Sequence, residues 1–215
     1  MAEHSELAAC TPVGLDAGVF NEAATLPYDL SVHHIASAMA DFLTFLGFIN
    51  GQLYTKQMQR LESILMPANF SSIVGEFMTA RIPKYAPSLV KNRYHNGHPD
   101  LVPSGVFPND AIRHTSVGIE IKASRYLKGW QGHNPEDAWL MVFVFESNRP
   151  VDLDPKPFRF LRVVGAQLTK DDWLFSGRSE GSRRTITASV TESGYQKMTA
   201  NWIYQAPNLQ QIEQG

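Results

Sequence analysis

A chain of 215 residues, 43% hydrophobic and 19% charged with a formal net charge of −2, has the make-up of a folded globular protein, which excludes a disordered chain and a polycation that coats nucleic acid indiscriminately. Its length fits one domain with a modest N-terminal extension. The single cysteine, Cys10, excludes an internal disulfide framework and a four-cysteine zinc site and fits a reducing compartment, so the cytoplasm is expected.

Residues 1–28 show no sustained periodicity and carry Pro12, Gly14, Gly18 and Pro27, the pattern of an irregular arm. Six acids precede the first basic residue, Lys56, so neither a secretory signal nor a transit peptide is expected. From Ser31 to about Asn50, Val32, Ile35, Met39, Phe42, Leu43 and Leu46 recur at steps of three and four, which predicts an amphipathic helix with Ser31 as N-cap and Gly51 as stop. Leu53, Met58, Leu61, Ile64 and Leu65 sketch a second helix ended by Pro67. A third, from about Ser71 to Arg81, buries Ile73, Val74, Phe77 and Met78, shows Ser72, Glu76 and Thr79 on its polar side, and is closed by Pro83. No uncharged apolar run reaches the length of a membrane span, so no membrane partner is expected.

The rest reads as short apolar runs between turns. Predicted strands are Asp100–Val102, Ser116–Ala123, Ala138–Glu146, Phe158–Val164 and Thr185–Val190, with Thr191–Tyr204 closing as a helix. Helices first and strands after predict an α/β domain: a mixed β-sheet core flanked by helices, with an N-terminal helical portion. Residues 1–28 form the arm and 29–215 a single domain, in which 29–67 is helical and 68–215 is the core with the C-terminal strands and helix. Charge is uneven. Arg81–Lys128 holds eight Lys or Arg against three acids, a local +5, while the remainder carries −7. That gives the middle of the chain an attraction for a polyanion, although a solvated face has the same composition.

The stretch GIEIKAS, residues 118–124, puts two charges into an apolar strand. Alternation sends Val117, Ile119 and Ile121 one way and Gly118, Glu120 and Lys122 the other. Gly118 would let something approach the backbone closely. Upstream, GHPDLVP places Asp100 after Pro99 at the mouth of another strand. If the two strands pair, Asp100 and Glu120 converge, and facing carboxylates repel unless a cation sits between them. Hard oxygen ligands without cysteine suit Mg²⁺, with Mn²⁺ as substitute. Lys122, one step along the same face, is placed to hold a water beside the metal.

Pro99-Asp100, a gap, then Glu120-Ile121-Lys122 in a hydrophobic strand resembles the PD-(D/E)xK nuclease superfamily, the fold of many restriction endonucleases. The resemblance implies a restriction-endonuclease-like fold and a Mg²⁺-dependent DNA endonuclease. It assigns metal binding to Asp100, Glu120 and the Ile121 carbonyl, with water positioning left to Lys122. An acidic residue on a preceding helix often joins such sites, and Glu76 is the candidate. Lys91, Arg93 and Arg125 are the DNA-binding candidates, and a two-fold homodimer is expected from cutting two strands with one site per chain. An ExK triplet alone arises by chance in about half of chains this long, so the upstream Pro-Asp and the alternation around both carry the resemblance. The alternative from another class is a DNA-binding or assembly protein of the same fold that does not cut.

His95, His98 and His133 invite comparison with histidine-asparagine nucleases, whose hairpin-plus-helix frame the sequence does not show. They are read as turn histidines. Gln131 is read as capping a turn, Trp130, Trp139 and Trp173 as core aromatics, and Arg183-Arg184 as a basic loop.

Overall fold

The computed structural model describes residues 2–132, 137–176, 187–207 and 209. His133, Arg183, Arg184 and the first two residues of the predicted strand at 185 lie outside them. Ser31 caps helix α2 (Val32–Thr55) as predicted: its hydroxyl accepts the His34 N–H, and His34 Nδ1 accepts the Ser31 N–H, both at 3.3 Å. Gly51 does not stop this helix. The chain leaves it at Lys56 and Gln57, the latter with φ of 57°. By length and composition α2 could cross a membrane. Within the molecule it is a core helix, burying Ile35, Met39, Phe42 and Leu46 completely, while its one acid, Asp41, pairs with Arg81.

The predicted second helix shrinks to α3 (Leu61–Ile64), and Pro67 begins α4 (Pro67–Tyr85) instead of ending a helix. At the first helical position the missing proline N–H costs nothing. Pro83 likewise sits inside the last turn of α4. Along α4, Phe70, Val74, Met78, Thr79 and Ile82 are buried and Ile73 and Phe77 half-buried. The arm is not wholly irregular. Ala2–Ala9 form helix α1, which lacks the apolar stripe that periodicity detects. Beyond α1 the arm binds the body of the molecule: the Val13 N–H donates to the Phe158 carbonyl at 2.8 Å and the Asn21 N–H to that of Ile203 at 3.0 Å.

The chain is a mixed α/β fold on a six-stranded mixed sheet. The strands are β1 (Leu89–Lys91), β2 (Leu101–Pro103), β3 (Ile119–Ser124), β5 (Trp139–Glu146), β6 (Arg159–Gln167) and β9 (Trp202–Gln205), side by side in that order. Only β3 and β5 run parallel; the other neighbours are antiparallel. The crossover between them contains β4 (Gln131–Gly132), which joins β7 (Trp173–Ser176) and β8 (Thr187–Val190) in a second, three-stranded sheet of order β4-β8-β7. Gln131 is therefore a strand residue and not a turn cap. β5 reads WLMVFVFE and is buried along both faces, as a central strand between two layers must be.

One apolar layer lies between the main sheet and helices α2 and α4. It gathers Phe42, Phe70, Phe143, Phe145, Phe158 and Phe160, along with Ile119 and Ile121. The other collects Trp130, Leu140, Val142, Val144, Trp173 and Met198 toward the small sheet and helix α5 (Glu192–Ala200). Trp130 and Trp173 are thus core residues, and Trp139 belongs to the first layer. The predicted closing helix ends at Ala200. Trp202–Gln205 pairs with β6 instead, because Ile203 and Tyr204 fill the first layer; so short an apolar run fits either element until its neighbours decide.

Candidate functional site at the β2–β3 seam

β2 and β3 pair antiparallel with Leu101 opposite Ile119. This register sets Asp100, one residue before Leu101, across from Glu120, one residue after Ile119. Gly118 makes the seam possible. A Cβ there would collide with the Leu101 carbonyl and the Pro99 ring, and its φ of 144° disfavours any other residue. What approaches the glycine is the neighbouring strand of the same chain. The Gly118 N–H also donates to the Tyr28 hydroxyl at 2.7 Å.

Asp100 is further fixed by Asn92, a buried side chain that organises the loop between β1 and β2. Its amide nitrogen donates to the Pro99 and Ile112 carbonyls, at 3.0 and 2.8 Å, and its oxygen accepts the Tyr94 and Ile112 N–H groups. The Asp100 carboxylate accepts the Ile121 N–H at 2.8 Å. Burial, with the Glu120 charge adding to it, pushes the Asp100 carboxyl up to about 7, against the pull of Lys122 and the Ile121 N–H.

Glu120 is only 6% exposed. The Lys122 ammonium donates to one of its oxygens, and His98 Nδ1 lies 2.9 Å from the other. Burial alone would raise the Glu120 carboxyl; the His98 hydrogen bond and the Lys122 charge outweigh it and hold the group well below the usual carboxylate range. Two neighbouring carboxyls are thus driven apart in proton affinity, one toward the acid and one firmly toward the anion.

A cavity of about 310 Å³ opens here, lined by Ser72, Gly75, Glu76, Asp100, Ile121 and Lys122. Helix α4 supplies its far wall. Glu76 stands on that wall, exposed, and pairs with Lys91 of β1 at 2.8 Å. Of its expected companions, Ser72 is exposed and Thr79 is buried. A larger cavity of about 810 Å³ adjoins it, sharing Glu76 and Asp100 and adding Lys91, Arg93 and Tyr94.

The structure therefore brings Asp100, Glu120, Ile121 and Lys122 together, sets Glu76 and Lys91 at the rim, and places Arg93 in the adjoining cavity. Arg125 is engaged elsewhere. Its guanidinium donates to the Ser147 and Asn148 carbonyls and lies over the rings of Phe70 and Phe145 at 5.8 and 5.4 Å. His95 is exposed on the loop. His98 is no bystander in a turn: it reaches Glu120 and stacks on His114, with ring centres 5.3 Å apart. No strand period points to it, since Pro99 and Asp100 are bends and β2 begins only at Leu101; the course of the loop brings His98 to Glu120.

Among the described residues no three His, Cys, Asp or Glu side chains gather as a metal-binding cluster. A cation at the seam would draw on the Asp100–Glu120 pair, the Ile121 carbonyl and water, the oxygen-rich mixture that Mg²⁺ takes. The donor chemistry fits, since a cation would offset both the burial and the Glu120 charge that now raise Asp100. No family model matches the chain, and neither a curated protein nor a solved structure does.

Proposed function

We propose that the chain is a Mg²⁺-dependent deoxyribonuclease that hydrolyses phosphodiester bonds, with a restriction-endonuclease-like core. One observation carries this. Asp100 stands across the seam from Glu120, and Lys122 follows on the same face, beside an open cavity. That is the constellation whose resemblance the sequence already bears, and helix α4 with its acidic residue at the rim supports the same core.

In this proposal Asp100, Glu120 and the Ile121 carbonyl hold Mg²⁺ or Mn²⁺. The bound ion supplies neutralisation of the charge that grows on the phosphorus oxygens. Lys122 orients the attacking water by donating to it, and its positive charge beside Glu120 keeps that carboxylate ionised. His98 fixes the second Glu120 oxygen. Asn92 fixes the main chain that leads into Asp100.

A second reading has its own support: both Glu120 oxygens are already engaged, by Lys122 and by His98, as suits a DNA-binding protein that keeps the frame without cutting. Incubating supercoiled plasmid and single-stranded DNA with the protein, in Mg²⁺ and in EDTA, separates the two. Cleavage in Mg²⁺ alone, abolished by Asp100→Ala and by Glu120→Ala with circular dichroism unchanged, is the expected result. Binding without any cutting leaves the second reading.

A further inference from the structure

The cavity at Asp100 and Lys122 is the waist of a longer groove. On one side it continues into the 810 Å³ cavity through shared Glu76 and Asp100. On the other it continues into a cavity of about 700 Å³ through shared Ser71, Lys122 and Ala123. Each wing presents one exposed tyrosine, Tyr94 at 45% and Tyr126 at 76%.

Both rings project from a main chain that is tied down. The Tyr94 N–H donates to Asn92 Oδ1 at 3.1 Å and its carbonyl accepts the Gly97 N–H at 2.9 Å. Asn92 in turn holds the Pro99 carbonyl, so this wing is braced against the Asp100 step. The Tyr126 N–H donates to Ser124 Oγ at 3.0 Å and its carbonyl accepts the Trp130 indole N–H at 2.8 Å. Ser124 is the last residue of β3. The main chain that bears each ring is thus held relative to the carboxylates while the ring face stays in water, which lowers the ordering cost of stacking on it. Arg93 is exposed beside Tyr94, and Arg149, paired with Asp152 at 2.8 Å, lines the other wing. A flat ring and a cation at each wing suit a strand of alternating bases and phosphates.

We infer that the groove binds a single strand of DNA, with Tyr94 and Tyr126 stacking on bases to either side of the phosphodiester that faces Asp100 and Lys122. This rests on the phosphodiesterase proposed above and names its substrate class. In a duplex the base faces are already stacked on one another; only unpaired bases offer them to the two rings.

The test is metal-free binding of the full chain to a labelled oligothymidylate and to a blunt duplex of equal length, followed by fluorescence anisotropy. The parent binds the single strand more tightly than the duplex. Tyr94→Ala and Tyr126→Ala each weaken single-strand binding by about 5- to 100-fold, leave duplex binding unchanged and keep the parent's thermal midpoint, and Tyr126→Trp restores affinity. Duplex binding at least as tight, or alanine variants that bind the single strand like the parent, overturns the inference. Cutting is measured in parallel in Mg²⁺. Tyrosine-dependent binding without cutting removes only the phosphodiesterase, whereas Mg²⁺-dependent cutting with tyrosine-independent binding removes only the stacking groove.

Discussion

His98 and Glu120 meet at 2.9 Å, Nδ1 to Oε2, with side chains 14% and 8% exposed. A carboxylate so buried keeps one orientation only while each oxygen has a donor, and His98 supplies one of the two. His98→Ala is expected to slow Mg²⁺-dependent cleavage by about 10- to 100-fold, the usual cost of losing a group that orients a metal ligand. His98→Asn, which keeps a donor, recovers part of the rate. Steady-state rates for the three proteins against Mg²⁺ concentration are the measurement; equal rates for parent and alanine variant would leave His98 a packing residue.

Lys122 reaches Glu120 from the other side and lines the cavity. Lys122→Ala should lower the cleavage rate by about 100-fold or more, the range of losses when a group that acts on the proton or water in the transition state is removed. Calorimetric Mg²⁺ binding should persist, because taking a positive charge away from two carboxylates favours a cation. A variant that cuts at the parent rate would reduce the lysine to an ion-pair partner.

Lys91 and Arg93 differ in what they are free to do. Lys91 is paired with Glu76 across the rim, while Arg93 stands beside the groove. Replacing both with Gln should weaken DNA binding and flatten the plot of log affinity against log salt by about one unit for each phosphate that is no longer neutralised. Arg93→Gln alone should account for most of the change. Breaking the exposed Lys91–Glu76 pair by Glu76→Gln should move stability by less than about 1 kcal/mol, so a shifted Mg²⁺ dependence in that variant would report on the site itself. Coincident curves would take Glu76 out of it.

Asp172 stabilises the opposite layer. Its side chain is 2% exposed, accepts the Thr169 N–H at 2.9 Å and pairs with Lys197 of α5 at 2.8 Å. Burial would raise its carboxyl, but Lys197 and Thr169 hold it below the ordinary value. A carboxyl lowered in the folded state contributes stability above its unfolded value near 4, and that contribution is lost as pH falls through the folded value. Urea unfolding of the parent should therefore weaken from about pH 7 to about pH 3 by more than it does in Asp172→Asn. At neutral pH the variant should be less stable by about 1–3 kcal/mol. Parallel losses in both proteins would assign the acid sensitivity to other carboxylates.

The Asp100–Glu120 pair is legible in the sequence because period-two alternation fixes which side chains share a face, and a charge within an apolar strand marks itself. β5 is legible for the same reason in reverse, as a run with no polar side. His98 is hidden because the chain bends at Pro99 and Asp100 before β2 begins at Leu101, so no strand period links His98 to the site. α1 is hidden because its sequence, AEHSELAA, has no stripe. The Arg60 region is hidden for another reason: Arg60 is 2% exposed and joins Glu6, Glu62 and Asn148, residues brought together only by the finished fold. Pro67 shows that the same residue can open or close a helix, and only the run that follows it decides.

The sheet is unevenly stitched. β5 is laddered on both edges, to β3 over six residues and to β6 over eight, whereas β2 meets β3 at the single pair Leu101–Ile119. Amide hydrogen exchange should follow this pattern, slowest along β5 and fast at the β2–β3 seam. The two carboxyls straddle that join, tied across it by the hydrogen bond from the Ile121 N–H to Asp100. Leu101 and Ile119, the pair at the join, are both buried in the first layer, so the spacing between Asp100 and Glu120 is set by the core beneath them, and a substitution that loosens that layer should also disturb the two carboxyls.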